Sequence, residues 1–151
     1  MRTYPRSILT LAVTATAALL VPASVTAGDD TTVLHAGMNG SRELPGPGSP
    51  SASGQARISV NASTGEICWD LRVHGVDGDV IMAHIHVGDR TVAGPVVLPL
   101  TPPVDGTSSG CATNAALADA LLANPSGYYV NVHSTLFPAG AVRGQLAGEH
   151  S

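Results

Sequence analysis

Apolar and polar residues alternate with a period of two in several short segments between residues 55 and 87, the spacing of strands with one buried face. Residues 66–74 show it most plainly. Ile67, Trp69, Leu71 and Val73 fall on one face, and Cys68, Asp70, Arg72 and His74 on the other. Residues 55–60 repeat the pattern, with Ala56, Ile58 and Val60 set against Arg57 and Ser59. Residues 80–87 place Ile81, Ala83, Ile85 and Val87 on one face and Met82, His84 and His86 on the other. Further strands are predicted over 31–36, 96–98, 128–134 and 141–146. Between them lie segments rich in Gly, Pro, Asn and Ser, predicted as loops and turns: 37–53 with Pro45, Pro47 and Pro50, then 61–65, 75–79 and 137–140. Pro99, Pro102 and Pro103 are expected to end regular structure, and residues 147–151 to be a loose tail.

Helical spacing is confined to residues 114–123, where Leu117, Leu121 and Leu122 form a narrow apolar stripe. Thr113 or Asn114 can cap its start, and Asn124-Pro125 stops it. Trp69, the single tryptophan, is the expected core anchor. Some seven short strands and one brief helix predict an all-β fold. The expected form is an immunoglobulin-like or Greek-key β-sandwich or barrel with one short helix.

The first 27 of the 151 residues read differently. Arg2 and Arg6 precede an apolar run from Ile8 to Val21, then Pro22 and the small residues Val25-Thr26-Ala27. This is the pattern of a secretory signal peptide cut after Ala27. The run is short for a membrane span, so no span is expected after cleavage. The expected organisation is a leader over 1–27, a short segment over 28–31, one domain over 32–147 and a tail over 148–151. Without Arg2 and Arg6, five arginines face eleven acidic residues, a charge of −6, and there is no lysine. An acidic chain of this kind argues against nucleic acid and anionic membranes as partners. Ala and Gly richness with arginine as the sole strong base points to a high-GC bacterial genome. Cys68 and Cys111 both follow the leader, and an even count in an oxidising compartment predicts a disulfide between them. The expected location is secreted, either extracellular or associated with the cell wall.

Several ordered motifs resemble the CHRD domain, the module named from chordin. They are Gly54-Gln55-Ala56, Ile67-Cys68-Trp69-Asp70-Leu71, Ala83-His84-Ile85-His86-Val87-Gly88, Gly94-Pro95-Val96-Val97, Ala123-Asn124-Pro125, Tyr128-Tyr129-Val130-Asn131-Val132-His133-Ser134 and Phe137 through Leu146. The resemblance implies a compact β-sandwich, an extracellular address and no established enzymatic activity. It does not bring chordin's growth-factor partner, because the accompanying modules are missing. A weaker resemblance is to copper/zinc superoxide dismutases, which also carry a His-x-His strand, a late strand ending in Val-His and a following arginine. The corresponding residues are His84, His86, His133 and Arg143. The chain departs from that family in having no bridging histidine between Gly88 and Gly110. A fourth copper ligand could come only from His35, His74 or His150, none at the matching place.

His84 and His86, two apart in a strand, project to the same side, and His133 ends a second strand. Two readings stand. Three neutral imidazoles with an open position suit copper or zinc. Alternatively, the rings form a structural cluster bonded to backbone carbonyls and the loop over 88–94. Asn131 shares the face of His133 and is expected either to orient it or to satisfy an exposed strand edge. Arg143 is expected either to draw an anion toward the histidines or, more simply, to pair with Asp70 or Asp89. No nucleophile elbow, paired catalytic carboxylates or phosphate-cradling Gly loop occurs, so no catalytic residue is assigned and the chain is read as a non-enzyme. The expected role is a secreted binding or scaffolding module that requires no cofactor, its partner an extracellular protein. The alternative is an extracellular copper or zinc binder.

Overall fold

The structure is a computed structural model and describes residues 30–148. The expected leader and most of the expected tail lie outside the described residues. Nine antiparallel strands form one sheet: β1 (Thr31–Asn39), β2 (Ser53–Asn61), β3 (Glu66–His74), β4 (Val80–Val87), β5 (Val96–Leu100), β6 (Thr107–Thr113), β7 (Tyr128–Ser134), β8 (Val142–Gln145) and β9 (Ala147–Gly148). The order across the sheet is β5-β4-β7-β8-β1-β2-β3-β6, with β9 added to β1. The sheet curls into a nearly closed barrel. Of the two architectures expected, the barrel is therefore the one formed. Among the described residues no helix is long and apolar enough to cross a membrane.

The alternation sets the inside of the barrel. Leu34, Ala36, Ala56, Ile58, Val60, Ile67, Leu71, Ile85, Val130, Val132 and Val142 pack inward with almost no exposed surface. Trp69 lies among them, 6 % exposed, opposite Gly110 on β6. A Cβ at Gly110 would sit 2.5 Å from the indole ring, so only glycine lets the tryptophan lie across that strand. The single α-helix, α1 (Ala115–Ala123), adds Leu117, Ala118 and Leu121 to the core. The Asn114 side chain caps it, accepting the Leu117 N–H at 3.0 Å.

Five elements differ from expectation. Strand β6, unassigned in the sequence, consists of small polar residues that bury little and takes its place from its full register with β3. Strand β5 runs through Pro99, which is tolerated because β5 is an edge strand with no partner on one side. Strand β1 extends through Gly37–Asn39, and Ala147–Gly148 is paired rather than loose. Ile81 is 40 % exposed rather than buried, because a register shift between Val80 and Met82 breaks the alternation there.

The outer face of β4, β7 and β8 is also covered. The loops over 40–52, 88–95 and 135–141 lie on it. They enclose a layer of buried polar side chains: Glu43, Ser49, His86, Asn131, His133 and Arg143.

Candidate metal centre

Strand register explains which side chains meet in this layer. Met82 pairs with His133, His84 with Asn131 and His86 with Tyr129 across β4 and β7, and Asn131 pairs with Arg143 across β7 and β8. Directly paired residues share a face, as do diagonal neighbours. The outer face therefore reads His84 and His86, then Tyr129, Asn131 and His133, then Arg143 and Gln145. The diagonal brings His84 Nδ1 to 3.1 Å from His133 Nε2. The ring centroids are 4.9 Å apart for His84–His133 and 5.4 Å for His84–His86. One nitrogen from each of His84, His86 and His133 lies within 4.8 Å of the others.

Two of the three rings have their tautomer fixed by backbone. His86 Nδ1 lies 2.9 Å from the Gly94 carbonyl, and His133 Nδ1 lies 3.0 Å from the Pro138 carbonyl. A carbonyl only accepts, so both Nδ1 atoms carry the proton and both Nε2 atoms present a lone pair. His86 Nε2 is buried without any hydrogen-bond partner among the described residues. Backbone bonds of this kind hold imidazole ligands in orientation at metal centres.

The electrostatics favour neutral rings. Burial pushes the His84 pKa down to about 4, helped by His133 and His86. Burial also lowers His86 and His133, against the opposing pull of their carbonyl bonds. In the unfolded chain these groups titrate near 6.5. As pH falls through 6.5 toward 4, the unfolded chain takes up protons that the folded rings refuse, and stability is lost. Glu43 works in the opposite sense. Desolvation raises its carboxyl from 4.5 to about 7, against the lowering pull of Arg143 and Asn131, so its contribution is lost as pH rises through that window. The histidine effect is isolated by comparison. In urea unfolding of metal-free protein, the stability difference between the native chain and His84→Ala is expected to shift in favour of the variant between pH 7 and pH 4.5. A pH-independent difference would contradict the assignment.

Among the described residues neither Arg143 nor Asn131 hydrogen-bonds to the histidines. Asn131 Nδ2 donates to both carboxylate oxygens of Glu43, each at 2.8 Å. Arg143 Nη2 donates to the backbone carbonyls of Asp89 (2.6 Å) and Val92 (3.0 Å). The expected ion pair with Asp70 or Asp89 is not the contact made. Asp70 faces Arg57 at 3.9 Å, and the Asp89 carboxylate is taken by the Thr91 N–H and hydroxyl. Arg143 instead lies 3.5 Å over the Tyr129 ring, which His86 also stacks against at 4.7 Å. Tyr129 thus stands between the arginine and the histidines.

Gly94 joins these parts. Its carbonyl accepts from His86 and from the Tyr129 hydroxyl, and its N–H donates to the same hydroxyl. A Cβ here would fall 1.6 Å from the Val87 carbonyl oxygen. Gly94→Ala is therefore expected to displace the loop and cost about 2–3 kcal/mol, as overpacking does. Urea denaturation checks this, and an unchanged midpoint would show that the loop carries no such constraint.

The sequence model of the CHRD domain matches residues 34–146. The chain belongs to the CHRD domain family. Neither a search of curated proteins nor one of solved structures found a match. The CHRD motifs fall on the layer just described: the His-x-His strand is β4, the Tyr-Tyr-Val-Asn-Val-His-Ser strand is β7, and the Gly-Pro-Val-Val motif opens with Gly94. Glu43, Gly94 and Pro138 were not singled out as site residues in the sequence. An acidic residue beside Arg42 in a loop rich in Gly, Pro and Ser is a weak signal for Glu43. The carbonyls of Gly94 and Pro138 leave no trace in residue type.

Proposed function

We propose that this CHRD domain is a non-enzymatic module, acting outside the cell, whose binding function is to hold a copper or zinc ion between His84, His86 and His133. The observation that carries the reading is the buried, partnerless Nε2 of His86, beside a second Nε2 fixed in its lone-pair form on His133. A tetrahedral ion with bonds of about 2.0–2.1 Å needs three such nitrogens converging on one point. Small rotations of the rings bring atoms that already lie within 4.8 Å to that arrangement. The competing structural reading places a proton between His84 Nδ1 and His133 Nε2, where the ion would otherwise sit.

Copper fits the surroundings better than zinc in one respect. Met82 is the register partner of His133 and adds a thioether on the same face, a donor that suits copper(I). A dismutase activity is not proposed. Among the described residues the remaining histidines, His35 and His74, lie on β1 and β3, outside the cluster. An address outside the cell is supported by the Cys68–Cys111 pair, whose sulfurs stand at bonding distance, 2.13 Å. Electron paramagnetic resonance of the protein with one equivalent of Cu(II) tests the reading. Nitrogen hyperfine structure from imidazoles is expected, and a spectrum of aqueous copper would contradict it.

A further inference from the structure

Beyond Tyr129 the polar layer opens into a cavity of about 210 Å³, lined by Arg42, Glu43, Leu44, Arg90, Arg143 and Gln145. Its charge is out of proportion to the chain. Residues 28–151 carry only five arginines and a charge of −6, yet three of those arginines meet at this one cavity. Glu43 is the single acid among them. Both of its oxygens accept from Asn131, and among the described residues it forms no ion pair with the arginines. Three cations against one carboxylate leave the cavity at +2 or above.

The donors there are incompletely used. Arg143 is 2 % exposed, and its Nη2 is bonded to two loop carbonyls while its Nη1 is buried with no hydrogen-bond partner among the described residues. Arg90 is exposed and makes no hydrogen bond or ion pair among the described residues. Arg42 holds the Gly37 carbonyl through Nη1 and is otherwise at the surface. A fully buried guanidinium with a free N–H is costly in a folded protein, even with a carboxylate nearby. Guanidinium groups present a planar fork that matches the paired oxygens of a carboxylate or a phosphate.

We propose that this cavity binds a small oxyanion, a phosphate group or a carboxylate, through Arg42, Arg90 and Arg143. The inference goes beyond the metal reading and does not rest on it. The anion enters from the side of Arg42 and Arg90, which are exposed, and Arg143 supplies charge from beneath. Because Arg143 Nη2 also anchors the carbonyls of Asp89 and Val92, the anion stiffens the loop that presents Gly94 to His86.

Calorimetric titration of the metal-free protein at low salt tests this, with inorganic phosphate in one arm and succinate in the other. At least one probe is expected to bind at a single site with a Kd of about 1 mM or tighter. The arm that responds tells whether the natural ligand is phosphoryl or carboxylate. Arg42→Ala/Arg90→Ala, a change confined to exposed side chains, is expected to weaken binding by about 10-fold or more, and added salt to weaken it further. Arg57→Ala, on a strand face away from the cavity, is expected to leave it unchanged. Two results overturn the proposal. One is no saturable binding of either probe at ten times that concentration. The other is equal affinity in the folded double variant.

Discussion

Replacing Cys68 and Cys111 together by alanine is expected to lower the stability of the domain by about 4 kcal/mol. The two residues are 43 apart in sequence, so the bond removes much of the freedom of the unfolded chain. They are also direct partners across β3 and β6, on the face that does not point into the core. The substitution therefore leaves no large cavity, and the loss reports the crosslink itself. For a domain of this size the melting temperature should fall by about 10–20 °C. The damage should begin in β6, an edge strand of small polar residues that relies on its ladder with β3. Hydrogen exchange in the variant is expected to show residues 107–113 losing protection before β1 to β3. A melting temperature within a few degrees of the native chain would contradict this account, as would two titratable thiols in the denatured, unreduced native protein.

The other large effect concerns His133. His133→Ala is expected to weaken copper and zinc binding by at least about 100-fold, equivalent to about 2.7 kcal/mol. His133 is the ring whose orientation is fixed by the Pro138 carbonyl and whose Nε2 meets His84, so its loss removes one ligand and the alignment of another. Met82→Leu is the informative contrast, since it keeps all three imidazoles. It should leave zinc affinity within about threefold and reduce copper(I) affinity more, because the thioether is a soft donor. If His133→Ala retained native affinity for both metals, the cluster would be structural, held by the His84–His133 hydrogen bond and the Gly94 and Pro138 carbonyls.

Much of this fold was legible from alternation because large apolar residues mark the inward positions of β2, β3 and β7. Strand β6 was not, since Thr, Ser, Gly and Ala carry no such mark and its pairing is dictated by a neighbour distant in sequence. Pro99 misled for a related reason: a proline ends a central strand but not an edge. The pairing of His84 with His86 followed directly from their spacing. The meeting of His84 with His133 required the register of β4 on β7, which the sequence does not contain. Arg143 shows a different limit. A lone arginine among small residues invites a carboxylate partner, yet its Nη2 bonds only backbone carbonyls, those of Asp89 and Val92. Glu43 reached the layer through a loop whose Gly and Pro content predicted only that it was irregular.

The central claim is that His84, His86 and His133 form a metal site. Its most direct test is a titration of the purified, metal-free protein with Cu(II) and Zn(II), beside a His84→Ala/His86→Ala variant shown to be folded. One equivalent bound at micromolar affinity or better by the native chain, and lost in the variant, is the result predicted. No binding by the native chain at micromolar metal, or equal binding by both proteins, would contradict it.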